Sequence, residues 1–185
     1  FTYLINPEIQ INHTTTKITG ITNQMLYNAK TFNQIQHDFQ IFIGQLPIVG
    51  HNILFDLSFL KKYLNNYDFL FKNRMICDTF YLSKIFYYYT NSFSLISLCS
   101  FKNIEISESH RAEQDAKNSG LLFMEILTNE IQYSNAKIIQ KLNNVIKSFD
   151  VPNKKLFNNI LSYFLKRKNI TKEKKSIQDV YSKFY

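Results

Sequence analysis

Three short stretches of this 185-residue chain gather side chains able to do chemistry. They are Gly50-His51-Asn52-Ile53-Leu54-Phe55-Asp56, Cys77-Asp78-Thr79-Phe80-Tyr81-Leu82 and His110-Arg111-Ala112-Glu113-Gln114-Asp115-Ala116. Carboxylate oxygens are the ligands that hard divalent cations take. An imidazole, with an ordinary pKa of about 6.5, gives or takes a proton near neutral pH. Each residue also has a plainer reading. Asp56 and Asp78 can cap the helices that follow them. His110 can be a solvated residue at a helix start, His51 a satisfied structural histidine at a strand end, and Phe55 part of a core. On residue types alone these alternatives stay open.

The surrounding pattern supplies elements to position them. Tyr3-Leu4-Ile5 reads as a short strand ended by Asn6-Pro7, because proline removes a ladder donor and fixes φ. Residues 14–22, TTTKITGIT, read as a turn-rich loop hinged at Gly20. Phe32, Ile35, Phe39, Phe42, Ile43 and Leu46 recur at helical spacing and predict an amphipathic helix over 32–46. Pro47-Ile48-Val49-Gly50 follows as a short buried strand, and 56–64 as the next helix. Met75-Ile76-Cys77 is a second short apolar run, leading at Asp78-Thr79 into a helix to about Tyr88. A short helix is expected over 94–101 and a longer one over 109–130, its inward stripe Ala112, Ala116, Ser119, Phe123 and Ile126. Strands alternating with helices indicate an α/β layered sheet. Beyond 130 the pattern is helical throughout, broken at Pro152.

Composition narrows the class. Hydrophobic residues make up 45% and charged residues 19%, which suits a globular domain. No apolar run approaches the roughly 18 residues needed to cross a bilayer, and no basic region precedes an apolar stretch near Phe1, so the expected location is cytoplasmic. The chain opens on Phe1 rather than Met, so its true start is expected upstream. Cys77 and Cys99 belong to no CxxC or Cys/His cluster and are expected as reduced, partly buried thiols. The net charge of +8 suits a nucleic-acid partner, although the abundance of Asn, Lys, Ile, Phe and Tyr, the signature of an AT-rich genome, accounts for it as well. The excess sits in 151–185, with nine Lys or Arg against two Asp or Glu.

In order and spacing the three stretches resemble the second half of the DEDDh family of 3′-to-5′ exonucleases, which includes the proofreading epsilon subunit of bacterial replicative polymerases. That family's second motif reads HNxxFD and its third HxAxxDA. Here they read HNILFD and HRAEQDA, with 54 positions from Asp56 to His110. Asp78-Thr79 with Leu82, and the opening INP followed by ITGIT, fit as well. The resemblance covers roughly residues 1–130.

The resemblance implies a ribonuclease H-like layered mixed sheet flanked by helices. It implies Asp56 and Asp115 as ligands of Mg²⁺ or Mn²⁺, His110 as the general base that deprotonates the attacking water, and Asn52, Phe55 and His51 as substrate contacts. Two such ions, about 4 Å apart, stabilise the attacking and leaving oxygens of a phosphodiester. The implied partner is a single-stranded 3′ end, DNA in replication proofreading or repair, with a polymerase as a further partner.

The family's first motif, Asp-x-Glu on the first strand, has no counterpart here, and Glu8 does not sit in a matching context. The chain is therefore expected to be part of a longer protein whose first strands lie upstream. The alternatives are a non-catalytic binding or scaffold module on the same fold, and an exonuclease that trims RNA. The expected organisation is an exonuclease domain over 1–132 and a basic helical extension, or the start of a further domain, over 133–185.

Overall fold

The computed structural model describes residues 1–72, 74–106, 112–134, 136–148 and 154–170. The chain runs β1 (Ile5–Asn6), α1 (His13–Thr19), α2 (Asn23–Leu26), β2 (Lys30–Thr31), α3 (Phe32–Ile43), β3 (Ile48–Gly50), α4 (Ile53–Tyr63), α5 (Tyr67–Phe71), β4 (Ile76–Asp78), α6 (Thr79–Phe86), α7 (Leu95–Phe101), α8 (Ala112–Glu125), α9 (Ala136–Ser148) and α10 (Lys154–Ile170). This is the α/β alternation expected from the sequence. Among the described residues the strands form two parallel ladders, β1 with β2 and β3 with β4.

The β3–β4 ladder is the frame of the site, and its layering follows from the two-residue period of a strand. Ile48 pairs with Ile76, and both pack on the smaller apolar cluster, built from Ile53, Leu57, Leu64, Leu70 and Phe71 of α4, α5 and their flanks. Val49 pairs with Cys77, and both face the larger cluster. That cluster takes Leu82 from α6, Leu98 and Cys99 from α7, Leu122 from α8, Ile139 from α9, and Ile160, Leu161 and Phe164 from α10. Helices thus cover both faces of the ladder. The third pair, Gly50 with Asp78, lies at the carboxyl ends of the strands, where parallel sheets place their ligands.

Several local details depart from the expected elements. The stretch read as a loop over 14–22 carries helix α1. The Asn12 side chain accepts from the Thr15 amide at 2.8 Å to start it, and Gly20, at φ 70°, ends it. α4 begins at Ile53, three residues before the expected start, because Asn52 adopts a left-handed conformation and turns the chain into the helix there. β2 and α5 are too short to leave a periodic signal.

After Glu125 the helix widens into a π-helical segment, Ile126–Ile131. A π-turn bonds residue i to i+5, so side chains five apart share one face. Glu125 and Glu130 accordingly bracket a single ammonium, that of Lys102, at 3.0 and 3.1 Å. This joins the end of α8 to the end of α7. Arg74 fastens another junction. Its guanidinium donates to the carbonyls of Ile43 and Leu46, at 2.9 and 3.1 Å, and of Gly44, closing the end of α3.

Both cysteines are free and buried. Burial, with the Asp78 charge added, pushes the Cys77 thiol far up; burial, with the Asp115 charge added, pushes Cys99 up to about 11. Among the described residues no helix is long and apolar enough to cross a membrane.

Candidate active site

A cavity of about 590 Å³ opens at the carboxyl end of β3. One wall is the turn out of β3 and the start of α4, with Gly50, His51, Asn52, Phe55 and Asp56. A second is the first two turns of α8, with Ala112, Asp115, Ala116 and Ser119. A third is the start of α7, with Ser94, Leu95 and Ile96.

Close approach of α4 to β3 depends on Gly50. A Cβ there would lie 2.4 Å from Cδ1 of Ile53 and 3.1 Å from its Cβ, inside van der Waals contact with a buried side chain. Asn52 then takes φ 58° and ψ 40°. Asn is among the few L residues that visit this region readily. The turn sets Asp56 in the first turn of α4, where the amino-terminal end of the helix favours a carboxylate.

Asp56 and Asp115 therefore line two walls of one cavity. Burial raises the pKa of Asp56 most; its own backbone amide lowers it, and the Asp78 and Asp115 charges raise it further. This is the condition of carboxylates that lack a neighbouring positive charge. A hard divalent ion fits such a pair, since Mg²⁺ is commonly held by one or two carboxylates and completed by water and phosphate oxygens. Among the described residues no group of three His, Cys, Asp or Glu side chains comes close enough to hold a metal ion. An ion there would therefore have at most two such side chains among the described residues.

Phe55 lines the cavity with 63% of its surface exposed, so its ring is open to a ligand rather than packed in the core. Asn52 lines it too, and its side chain is not spent on capping α4. His51 also borders the cavity, but both ring nitrogens meet protein groups. Nε2 lies 2.9 Å from the Phe93 carbonyl and Nδ1 3.0 Å from the Thr79 hydroxyl. A carbonyl only accepts, so Nε2 carries a proton, while the Thr79 hydroxyl beside Nδ1 also lies 3.1 Å from the Gly50 carbonyl and has one hydrogen to give. Burial lowers the His51 pKa; the Phe93 contact and the Asp78 and Asp115 charges oppose this without overcoming it. His110 lies outside the described residues.

Ala112 and Ala116 were expected in the inward stripe of α8. They are exposed and floor the cavity instead, while Asn118, Ser119, Leu122 and Ile126 are buried. The small side chains leave room beside Asp115. Ser94, Leu95 and Ile96 carry no sequence signal of a site, because a generic helix start does not show what it faces.

The family model described as Exonuclease (RNase T) matches residues 1–123. The chain belongs to this exonuclease family. It is 30% identical over 156 residues to a PolC-type DNA polymerase III of Caldanaerobacter subterraneus, covering 84% of this chain and 11% of that protein. It is 33% identical over 145 residues to the 3′-5′ exonuclease DinG of Bacillus subtilis, covering 77% of this chain and 16% of that protein. A PolC-type polymerase of Latilactobacillus sakei is 31% identical over 126 residues, 68% of this chain and 9% of that protein. The chain is an exonuclease-family domain homologous to segments of these proteins, and it spans a sixth or less of their length.

Proposed function

We propose that this domain serves a metal-dependent 3′-to-5′ exonuclease that removes nucleotides from DNA ends in replication proofreading or repair. The observation that carries the reading is the pairing of Asp56 and Asp115 across one open cavity, at the carboxyl end of the central ladder. Asp56 and Asp115 hold Mg²⁺ or Mn²⁺. The bound ion supplies charge stabilisation to the phosphate oxygens in the transition state. Phe55 offers its exposed ring to the terminal base, a contact that tolerates any base. Asn52 presents its amide to the sugar or phosphate. His51, neutral and held on both sides, braces the wall on which these two residues stand. His110, five positions before Asp115, takes the proton from the attacking water. The similarity to proteins named as a 3′-5′ exonuclease and a DNA polymerase supports DNA as substrate and a polymerase as partner.

The test is degradation of 3′-labelled single-stranded DNA, and of RNA of the same sequence, by the full-length gene product with Mg²⁺ or Mn²⁺. Loss of label that stops with EDTA, and with His110→Ala, is the expected result. Preference for the RNA strand would move the substrate and keep the chemistry. A second reading, a non-catalytic module on this fold, is favoured by one observation: the described residues bring together no third acidic or imidazole ligand. It predicts that neither strand is cut.

A further inference from the structure

Gly50 and Asp78 are the last pair of the β3–β4 ladder, and the chain leaves both strands there. The two departing turns pass each other with amides that the ladder no longer uses. Asp78 meets both. Its Oδ1 accepts from the Asn52 amide at 2.8 Å and from the Phe80 amide at 2.9 Å. The second contact caps α6. The first reaches 26 residues back, to the residue that opens α4.

Capping alone does not account for this side chain. Asn and Ser cap helices about as well as Asp. Asp78 is 1% exposed, and its Oδ2 is buried without a hydrogen-bond partner among the described residues. Burying such an oxygen unpaired is costly. What the aspartate adds is reach to Asn52, whose backbone takes the left-handed conformation that few L residues adopt and whose side chain makes no cap. The same turn decides where α4 starts, and Asp56 follows four residues on.

We propose that Asp78 is a positioning residue. By holding the Asn52 amide in the left-handed turn, it sets the direction in which α4 carries Asp56 into the cavity. The effect on metal rests on the exonuclease reading above; the hold on the turn does not.

Two substitutions separate the roles. Asp78→Ser keeps a cap for α6 and is too short to reach the Asn52 amide as well. Asp78→Asn keeps an acceptor where Oδ1 stands. Amide hydrogen exchange on this chain without metal reads the turn. In Asp78→Ser, the amides from Asn52 to Asp56 are expected to exchange about tenfold faster, with α6 unchanged, and Asp78→Asn to restore them. In the full-length gene product, the Mg²⁺ concentration for half-maximal DNA cleavage is expected to rise about tenfold in Asp78→Ser and to return toward the unsubstituted value in Asp78→Asn. Unchanged exchange at 52–56, or equal acceleration across the whole domain, overturns the proposal. So does faster exchange at 52–56 with no change in Mg²⁺ dependence. If the unsubstituted full-length protein neither cuts DNA nor responds to Mg²⁺, the exonuclease reading fails, and exchange alone decides whether Asp78 holds the turn.

Discussion

Asp56 and His51 sit on the same wall and have opposite electrostatic problems. The pKa of Asp56 is raised, so the folded state holds its proton more tightly than the unfolded chain does. Stability is then lost as pH rises from 3.8 through the raised value, and the penalty persists at neutral pH. Asp56→Asn removes it. Urea unfolding without metal should find the variant more stable than the unsubstituted chain at pH 7 and no more stable at pH 3. For His51 the folded pKa lies below 6.5, so the unfolded state takes up a proton that the folded state refuses. Its contribution falls as pH drops below 6.5 toward the folded value. Replacement by Gln should flatten the loss of stability between pH 7 and pH 5, read from the same unfolding curves. A variant as pH-sensitive as the unsubstituted chain would mean that another group titrates there. From the sequence, His51 reads as structural or substrate-binding with nothing to choose between them. Only the fold shows its two partners, Thr79 and the Phe93 carbonyl, and Phe93 lies 42 residues away.

The elements matter to the site through the closeness of β3 and α4. Gly50→Ala places a methyl group against Ile53, and α4 must yield or the strand must bend. The expected cost is ~1–3 kcal/mol, as for other overpacked positions. A shift in the urea midpoint checks it, and Ile53→Val should recover part of the loss by shortening the side chain that the methyl meets. The strand–helix order around the site was legible in the sequence, because apolar runs bounded by Pro47, Gly50 and Asp78 leave a plain signal. The apolar spacing of α3 was equally plain. Other features were not legible for physical reasons. α1 is set by its two caps and buries nothing, so it has no periodicity to read. The stripe of α8 was misjudged at Ala112 and Ala116, because alanine suits both a core and a cavity floor. The π-segment, flanked by the glutamates that meet Lys102, leaves no mark in the apolar spacing.

At the scale of the whole molecule, α9 and α10 share the larger cluster with β4 through Ile139, Ile160, Leu161 and Phe164. Their apolar stripes could be read from the sequence, but not the surface they cover. Cys77, fully buried in that cluster, reports on the contact. Removal of residues 136–185 should open Cys77 to a thiol reagent under native conditions; continued protection would show that the helices do not seal this face. Phe164→Ala should cost ~3–5 kcal/mol, the range for a large aromatic removed from a packed core. With that core intact, two walls of one cavity carry Asp56 and Asp115, and the proposed chemistry needs them to share a cation. The most direct test is Mn²⁺ binding followed by water-proton relaxation, on the unsubstituted chain and on Asp56→Asn and Asp115→Asn. The expected result is saturable binding that either substitution weakens at least tenfold. Binding that both substitutions leave unchanged would contradict it.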